Sequence, residues 1–222
     1  MYNVIDPSTG LYKDTQVETN IVGNREPKLI GGFNNSFSYK NFNLSFLFDI
    51  RLGGDIYNGT EYYLVTKGLS TKTINRESVS FTGVVNTGTA AKPSYETKTI
   101  TYNANETYQV GNSTRSGKYM IQEYYKNYAK NAYNFITDTN WLRLRSISLS
   151  YDFKDLLKKQ NIIKGLTATI TGTNLFVWTN YKGMDPETCV PGSGTGGSGS
   201  AGIDYCGVPA TAGMSFGINL TF

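Results

Sequence analysis

The chain has 222 residues, enough for one large domain or two small ones at roughly 150 residues each. Charged residues make up 17% against about 25% in ordinary soluble proteins, while aromatics reach 14%, so solubility did not shape this surface. The evenly scattered net charge of +4 excludes electrostatic nucleic-acid binding, and the absence of histidine removes Ser-His-Asp and Cys-His nucleophile systems and His-ligated metals.

Residues 1–28 begin with no basic stretch followed by an apolar one, so no secretory leader is predicted, and the segment reads as an external loop. Period-two alternation then sets in. Over about residues 29–40, Leu29, Phe33, Phe37 and Tyr39 share one face, with Gly32, Asn34, Ser36, Ser38 and Lys40 opposite and Ile30 as the exception there. Over 42–52, Phe42, Leu44, Phe46, Phe48, Ile50 and Leu52 alternate with Asn43, Ser45, Asp49 and Arg51, and only Leu47 breaks the rule. A two-residue turn at Lys40-Asn41 pairs Tyr39 with Phe42, Phe37 with Leu44 and Phe33 with Phe48, so the apolar faces coincide without adjustment.

Residues 53–140 read as a long external loop with a helical stretch around Tyr119–Tyr133, where Ile121, Tyr125, Tyr128 and Ala132 share a face; it is expected to fold over the mouth of the sheet. A third strand, about 141–153, alternates Ile147, Leu149, Tyr151 and Phe153 with serines and Asp152. At its start Trp141, Arg143 and Arg145 continue the outward face, which would set the guanidinium groups beside lipid phosphate; a β-bulge that instead turns Leu142 and Leu144 outward is the alternative. A fourth strand, 165–179, carries Leu166, Ala168, Ile170, Phe176 and Trp178 on one face, interrupted by Gly172 and Asn174, with threonines opposite. After an external loop at 180–210, the fifth strand, about 211–222, places Ala212, Met214, Phe216, Ile218, Leu220 and Phe222 on one face and no large apolar residue on the other.

The longest purely apolar run, Leu175 to Trp178, is far short of the roughly 18–20 residues of a membrane helix, but a membrane strand needs only about 9–11 alternating residues. Eleven residues rise about 36 Å, and tilted by about 45° they cover the roughly 25 Å apolar band of an outer-membrane barrel. Connections alternate short and long, with all short turns at one end, as periplasmic turns and external loops do. Tyr39, Phe42, Tyr151, Phe153 and Phe222 come to one level there, where an aromatic girdle belongs. The resulting fold expectation is all-β: an antiparallel transmembrane β-barrel segment with long external loops, in contact with membrane lipid. Five strands do not close a barrel, and two bare edges in hydrocarbon would cost tens of kcal/mol at several kcal/mol per unsatisfied group, so further strands are required.

The stretch NWLRLRSISLSYDF at 140–153, then GTNLF at 172–176, YKGMDPE at 181–187 and the terminal FGINLTF at 216–222 resemble the C-terminal portion of SusC/RagA-type TonB-dependent outer-membrane transporters. GGFNNSFSYKNFNLSFLFDIRLGGDIYN, within residues 27–58, resembles the preceding hairpin of that family. The resemblance implies the last five strands of a 22-stranded barrel, with the remaining strands, an N-terminal plug, the TonB complex and a SusD-like lipoprotein as partners. It also implies import of an oligosaccharide or peptide substrate, with terminal Phe222 as a barrel-assembly signal. At Asp6-Pro7-Ser8-Thr9-Gly10, where many relatives carry a turn that looks calcium-binding, carboxylates are too few, so no metal or cofactor is expected.

Tyr57, Tyr62, Tyr63, Tyr124 and Trp178 are the candidates for stacking on sugar rings, with packing between loops as the plainer role. Cys189 and Cys206 flank the low-complexity run at 192–202 and are a candidate disulfide, the alternative being two thiols. Asp185 and Glu187 stand two apart beside Pro186 with no third partner and read as loop structure, so no catalytic residue and no enzyme activity is expected. The alternative of a different class is an autonomous extracellular β-sandwich that binds glycans, its apolar faces packed on each other. A small self-assembling pore is a third.

Overall fold

In the computed structural model, residues 3–13, 21–89, 91–157, 162–187 and 202–222 are described. The elements in chain order are β1 (Leu29–Tyr39), β2 (Phe42–Leu52), β3 (Asp55–Asn58), α1 (Gly59–Lys67), β4 (Ser78–Asn86), β5 (Tyr95–Asn103), β6 (Thr107–Val110) and β7 (Ser113–Ser116). They continue with α2 (Gly117–Lys130), β8 (Ile136–Asp138), β9 (Trp141–Asp152), α3 (Lys154–Leu157), β10 (Gly165–Thr179), β11 (Ile203–Asp204) and β12 (Gly213–Thr221). The chain divides into two units: a strand unit of Gly23–Ile56 with Thr137–Phe222, and a helix unit of Tyr57–Ile136 with the residues up to Val22.

The strand unit is built on a five-stranded antiparallel sheet in the order β1-β2-β9-β10-β12. Its first pair turns at Lys40, whose φ of +54° lies in the left-handed region that tight hairpins use, and Tyr39 pairs with Phe42. One row of residues then crosses the whole sheet: Phe37, Leu44, Leu149, Ile170 and Phe216 are successive partners. The neighbouring row, Ser36, Ser45, Ser148, Thr171 and Ser215, is all hydroxyl, and the Ser148 and Thr171 side chains are hydrogen-bonded at 2.9 Å. Successive side chains of a strand point to opposite faces, so these rows make one face apolar and the other polar. The apolar face lies open: Leu149 is 41% and Phe216 68% exposed. It is not packed as the inner face of a sandwich.

At the short-turn end the ring of Phe42 lies tilted against that of Tyr151 at 4.6 Å between centroids, and Tyr151 meets Phe153 edge-on at 4.7 Å. At the opposite end the ladder slips. Leu47 pairs with Ser146, but its neighbour Phe48 pairs with Leu144, leaving Arg145 as an inserted residue; on the other side Thr173 pairs with Ser146 and Phe176 with Leu144. This bulge corrects the expectation of outward-facing Trp141, Arg143 and Arg145. Leu144 joins Phe48 and Phe176, Leu142 joins Ile50 and Trp178, and Arg143 falls opposite Asp49 on the polar side. The bulge also accounts for the interruption at Gly172 and Asn174. Asn174 adopts φ +50°, and the Leu175 side chain lies over Gly172, where a Cβ would stand 2.7 Å from it.

Most of the segment read as a long external loop at 53–140 is folded. Its hairpin of β4 and β5 pairs Phe81 with Ile100 and Asn86 with Tyr95, and the N-terminal residues join it through the Ile5 amide, which donates to the Val84 carbonyl at 2.8 Å. Ile5, Leu11, Tyr12, Val79, Phe81, Tyr102, Met120, Ile121 and Tyr124 form one buried cluster. Helix α2 starts at the Ser116 cap, which accepts from the Tyr119 amide, and ends before Asn131. It buries Gly117, Met120, Ile121, Tyr124 and Ala129. The stripe overlaps the expected one: Ile121 is buried and Tyr125 and Tyr128 pack half-buried against the same cluster, the Tyr125 hydroxyl donating to the Lys72 carbonyl at 2.9 Å, while Ala132 lies in the following short helix, Ala132–Phe135. None of the helices of the described residues is long and apolar enough to cross a membrane.

Burial pushes the phenols of Tyr12, Tyr102 and Tyr124 above their ordinary value of 10.0. The unfolded chain releases these protons near that value while the folded unit holds them, so the stabilisation is complete below about pH 10 and is lost as pH rises through the folded values. Alkaline titration of the full chain should show phenolate absorbance lagging behind the exposed tyrosines and then appearing together with loss of near-UV dichroism. Ionisation of every tyrosine in one step with the dichroism intact would contradict this packing.

Candidate functional site

The Arg145 bulge aims two guanidinium groups from β9 onto the polar face of the sheet, where the segment after β10 brings two carboxylates and β2 a third within reach. Arg143 Nη2 donates to Asp185 Oδ1 at 2.6 Å, and the two side chains are 3% and 5% exposed. The same carboxylate accepts the amides of Glu187 and Ala210, each at 3.0 Å, so one buried ion pair also ties down two backbone segments. Arg143 Nε stands 2.6 Å from Glu187 Oε2, an ion-pair distance, yet neither atom has hydrogen-bond geometry there, and we take the contact as electrostatic. Arg145 spans Asp49, at 2.7 Å through Nε, and Glu187 through Nη2, and lies 5.7 Å from the ring of Trp141. Beside them the Tyr181 hydroxyl donates to Asp204 at 2.6 Å, both residues being buried.

The sharp turn that leads from β2 toward this cluster depends on Gly54. Its φ is +90°, and a Cβ there would meet the Arg25 carbonyl and the Arg51 guanidinium at 2.7 Å. Arg51 Nη2 donates to that carbonyl at 2.8 Å, and Asn140 accepts the Gly53 amide at 2.7 Å. The cluster therefore joins charges from β2, β9 and the 181–210 segment on one polar wall. It is a clamp of matched charge, with no nucleophile and base arranged for proton transfer among the described residues.

Of the expected contact aromatics, Tyr124 sits in the core of the helix unit, 9% exposed and stacked on Phe81 at 4.4 Å, and presents no face to a ligand. Tyr57 and Tyr62 pack around Phe135 at 6.4 and 5.6 Å, and Tyr63 lies exposed with Lys67 over its ring. Trp178 stands on the open apolar face of the strand unit, stacked with Phe176 at 5.9 Å. Phe222 is exposed at the end of the sheet, and of the candidate disulfide Cys189–Cys206, Cys189 lies outside the described residues. Asp6 folds back on its own turn, accepting from the amide and hydroxyl of Ser8. Asp185 and Glu187, expected to stand as loop structure with no third partner, instead pair with Arg143 and Arg145 from 42 residues upstream, a link that nothing in the local pattern marks.

Removing one partner of a buried ion pair leaves an uncompensated charge and costs about 3–5 kcal/mol, whereas neutralising the whole set is far milder. Arg143→Met should lower the melting temperature of the full chain in detergent and speed hydrogen exchange at the amides of Glu187 and Ala210. Arg143→Met with Asp185→Asn and Glu187→Gln should recover most of the loss. A single variant that melts and exchanges as the parent chain does would refute the clamp.

No protein-family model matches the chain. It is 24% identical to TonB-dependent receptor P3 of Formosa agariphila over 98% of its own length, 29% identical to TonB-dependent receptor P39 over 94%, and 26% identical to TonB-dependent receptor P26 of the same organism over 91%. It spans less than a fifth of the length of each, namely 19%, 17% and 18%. Its fold matches a chain in the structure of the RagAB peptide importer in the open-open state with a TM-score of 0.54 and 21% identity, over 99% of this chain and 20% of that one. The chain thus resembles part of TonB-dependent receptors in sequence, and its antiparallel sheet, with one open apolar face and one polar wall, matches the fold of a chain in the RagAB structure.

Proposed function

We propose that the chain supplies part of the wall of an outer-membrane importer for oligosaccharides or peptides, corresponding to the last five strands of a 22-stranded barrel. The observation that carries this reading is the open apolar row from Phe37 to Phe216 beside the hydroxyl row from Ser36 to Ser215. One face suits acyl chains and the other a watery lumen. The edge strands β1 and β12 then pair with the remaining strands of the parent barrel, since bare edges are costly in hydrocarbon. Tyr39, Phe42, Tyr151 and Phe153 form part of the periplasmic girdle, and Phe222 serves as the assembly signal. A plug, the TonB complex and a SusD-like lipoprotein complete the machine, and the described residues of this chain serve as wall and loop fastening.

The Arg143 clamp has a plain place in this scheme. It fastens an external loop onto the luminal wall, so the wall keeps its matched charges away from lipid.

The two tryptophans lie on opposite faces, which gives a direct test. Trp178 aligns with Leu142 on the apolar face, whereas Trp141 aligns with Arg51 and Thr179 on the polar one. In vesicles containing lipids brominated near the headgroup, the Trp141→Phe chain, which keeps Trp178, should be strongly quenched. The Trp178→Phe chain, which keeps Trp141, should be nearly unaffected. Equal quenching of both, or a chain that is monomeric, soluble without detergent and melts cooperatively, would overturn the membrane reading.

A further inference from the structure

A cleft of about 660 Å³ opens in the helix unit between the C-terminal half of α1 and one side of α2. That volume lies within the roughly 300–1,000 Å³ of ligand sites. Its lining is strongly biased in charge: Lys67, Arg76, Lys118 and Lys126 face it against a single carboxylate, Glu77. Lys126 is already paired with Glu123 at 2.7 Å, and Lys67 lies 5.6 Å from the ring centre of Tyr63. Arg76 spends Nη2 on the Gly68 carbonyl at 3.2 Å, which orients the guanidinium and leaves its other donors for a ligand. Lys118 has no ion pair among the described residues.

The rim that carries Arg76 is fixed. Gly68 closes α1 at φ +69°, the Ser70 hydroxyl donates to Glu61 at 2.6 Å, the Thr73 hydroxyl donates to the Ser70 carbonyl at 2.7 Å, and Tyr125 holds the Lys72 carbonyl. The cations are therefore presented by a preorganised loop and a helix face, which reduces the ordering cost of binding.

We propose that this cleft binds an acidic peptide, whose carboxylates are received by Arg76 and Lys118. Guanidinium and ammonium groups give charge-assisted hydrogen bonds to carboxylates. Asn105 and Gln122, also in the lining, each offer donor and acceptor together, as a peptide backbone requires. Leu69 and Ile74, which adjoin the lining residues Gly68 and Thr73, are 70% and 73% exposed and supply apolar surface for peptide side chains. An acidic saccharide would share the charge chemistry, but the lining has one aromatic, Tyr125, whose hydroxyl is committed to the rim, and so offers no open platform for a sugar ring. The peptide's role as cargo rests on the importer reading, whereas its binding does not.

The test is fluorescence anisotropy on the full chain in zwitterionic detergent, with three probes: a labelled peptide alternating Glu and Leu, its Gln counterpart and an oligogalacturonate of matched charge. The acidic peptide should saturate the chain, bind roughly tenfold tighter than the Gln peptide, and weaken as salt is raised. Arg76→Gln with Lys118→Gln should weaken it roughly tenfold while leaving the near-UV dichroism of the tyrosine core unchanged. Absence of saturable binding, binding unaltered by the double substitution, or tighter binding of the oligogalacturonate would each overturn the proposal. Lipid quenching of Trp178 is read separately, so loss of the cleft and loss of the importer reading are distinguishable.

Discussion

Strand pleating forces neighbouring residues to opposite faces, and in this chain that constraint is met five times in the same sense. Phe37, Leu44, Leu149, Ile170 and Phe216 stand in one row because every turn and crossover preserves their parity. Had a single strand slipped by one residue, serines would interrupt the apolar row and phenylalanines the hydroxyl row. The sheet is thus specified collectively. The apolar row it leaves open, from Phe37 to Phe216, is what gives the likeness to TonB-dependent receptors its physical content.

Charge is handled by a local departure from the same rule. One inserted residue, Arg145, reverses the parity of Arg143 and Leu144, which moves a guanidinium from the apolar side to the polar side and a leucine the other way. The insertion costs ladder hydrogen bonds but avoids a cation among apolar side chains. Asp185 and Glu187 then neutralise both arginines, and Asp185 additionally holds the Ala210 amide, so the chain enters β12 already tethered to the wall.

The pairing of β1 with β2 was legible in the sequence because a two-residue turn leaves one register that aligns the phenylalanines. The bulge was legible only as one of two options, since WLRLR alternates whichever set faces outward, and an inserted residue leaves no compositional mark. Asp185 and Glu187 stood out as a carboxylate pair, but their pairing with Arg143 and Arg145 did not, because a separation of 42 residues is bridged by the return of β10 and not by any local period. In the helix unit the stretch around α2 was recognisable, but only part of its buried face was: Ile121, Tyr125 and Tyr128 meet the core, while the more deeply buried Met120, Tyr124 and Ala129 lie to one side of that row. The core there joins Ile5 and Tyr12 to Phe81, Tyr102 and Tyr124, and such a gathering from distant positions has no signature within any short window. For the same reason Tyr124 looked like a surface aromatic until its neighbours were known.

The excursion between β2 and β9 enters and leaves the helix unit side by side, with the rings of Tyr57 and Phe135 only 6.4 Å apart. Once that unit has folded, the two long strands are joined by a connection whose effective span is a few residues and not the eighty or so that sequence distance suggests. Loop-closure entropy grows by about 0.6 kcal/mol per doubling of length, so the shortening is worth about 2 kcal/mol to the nucleation of the β2–β9 ladder. The insertion thereby lowers the contact order that the hairpin experiences, and maturation of the sheet becomes a matter of zipping neighbours instead of searching for a distant partner.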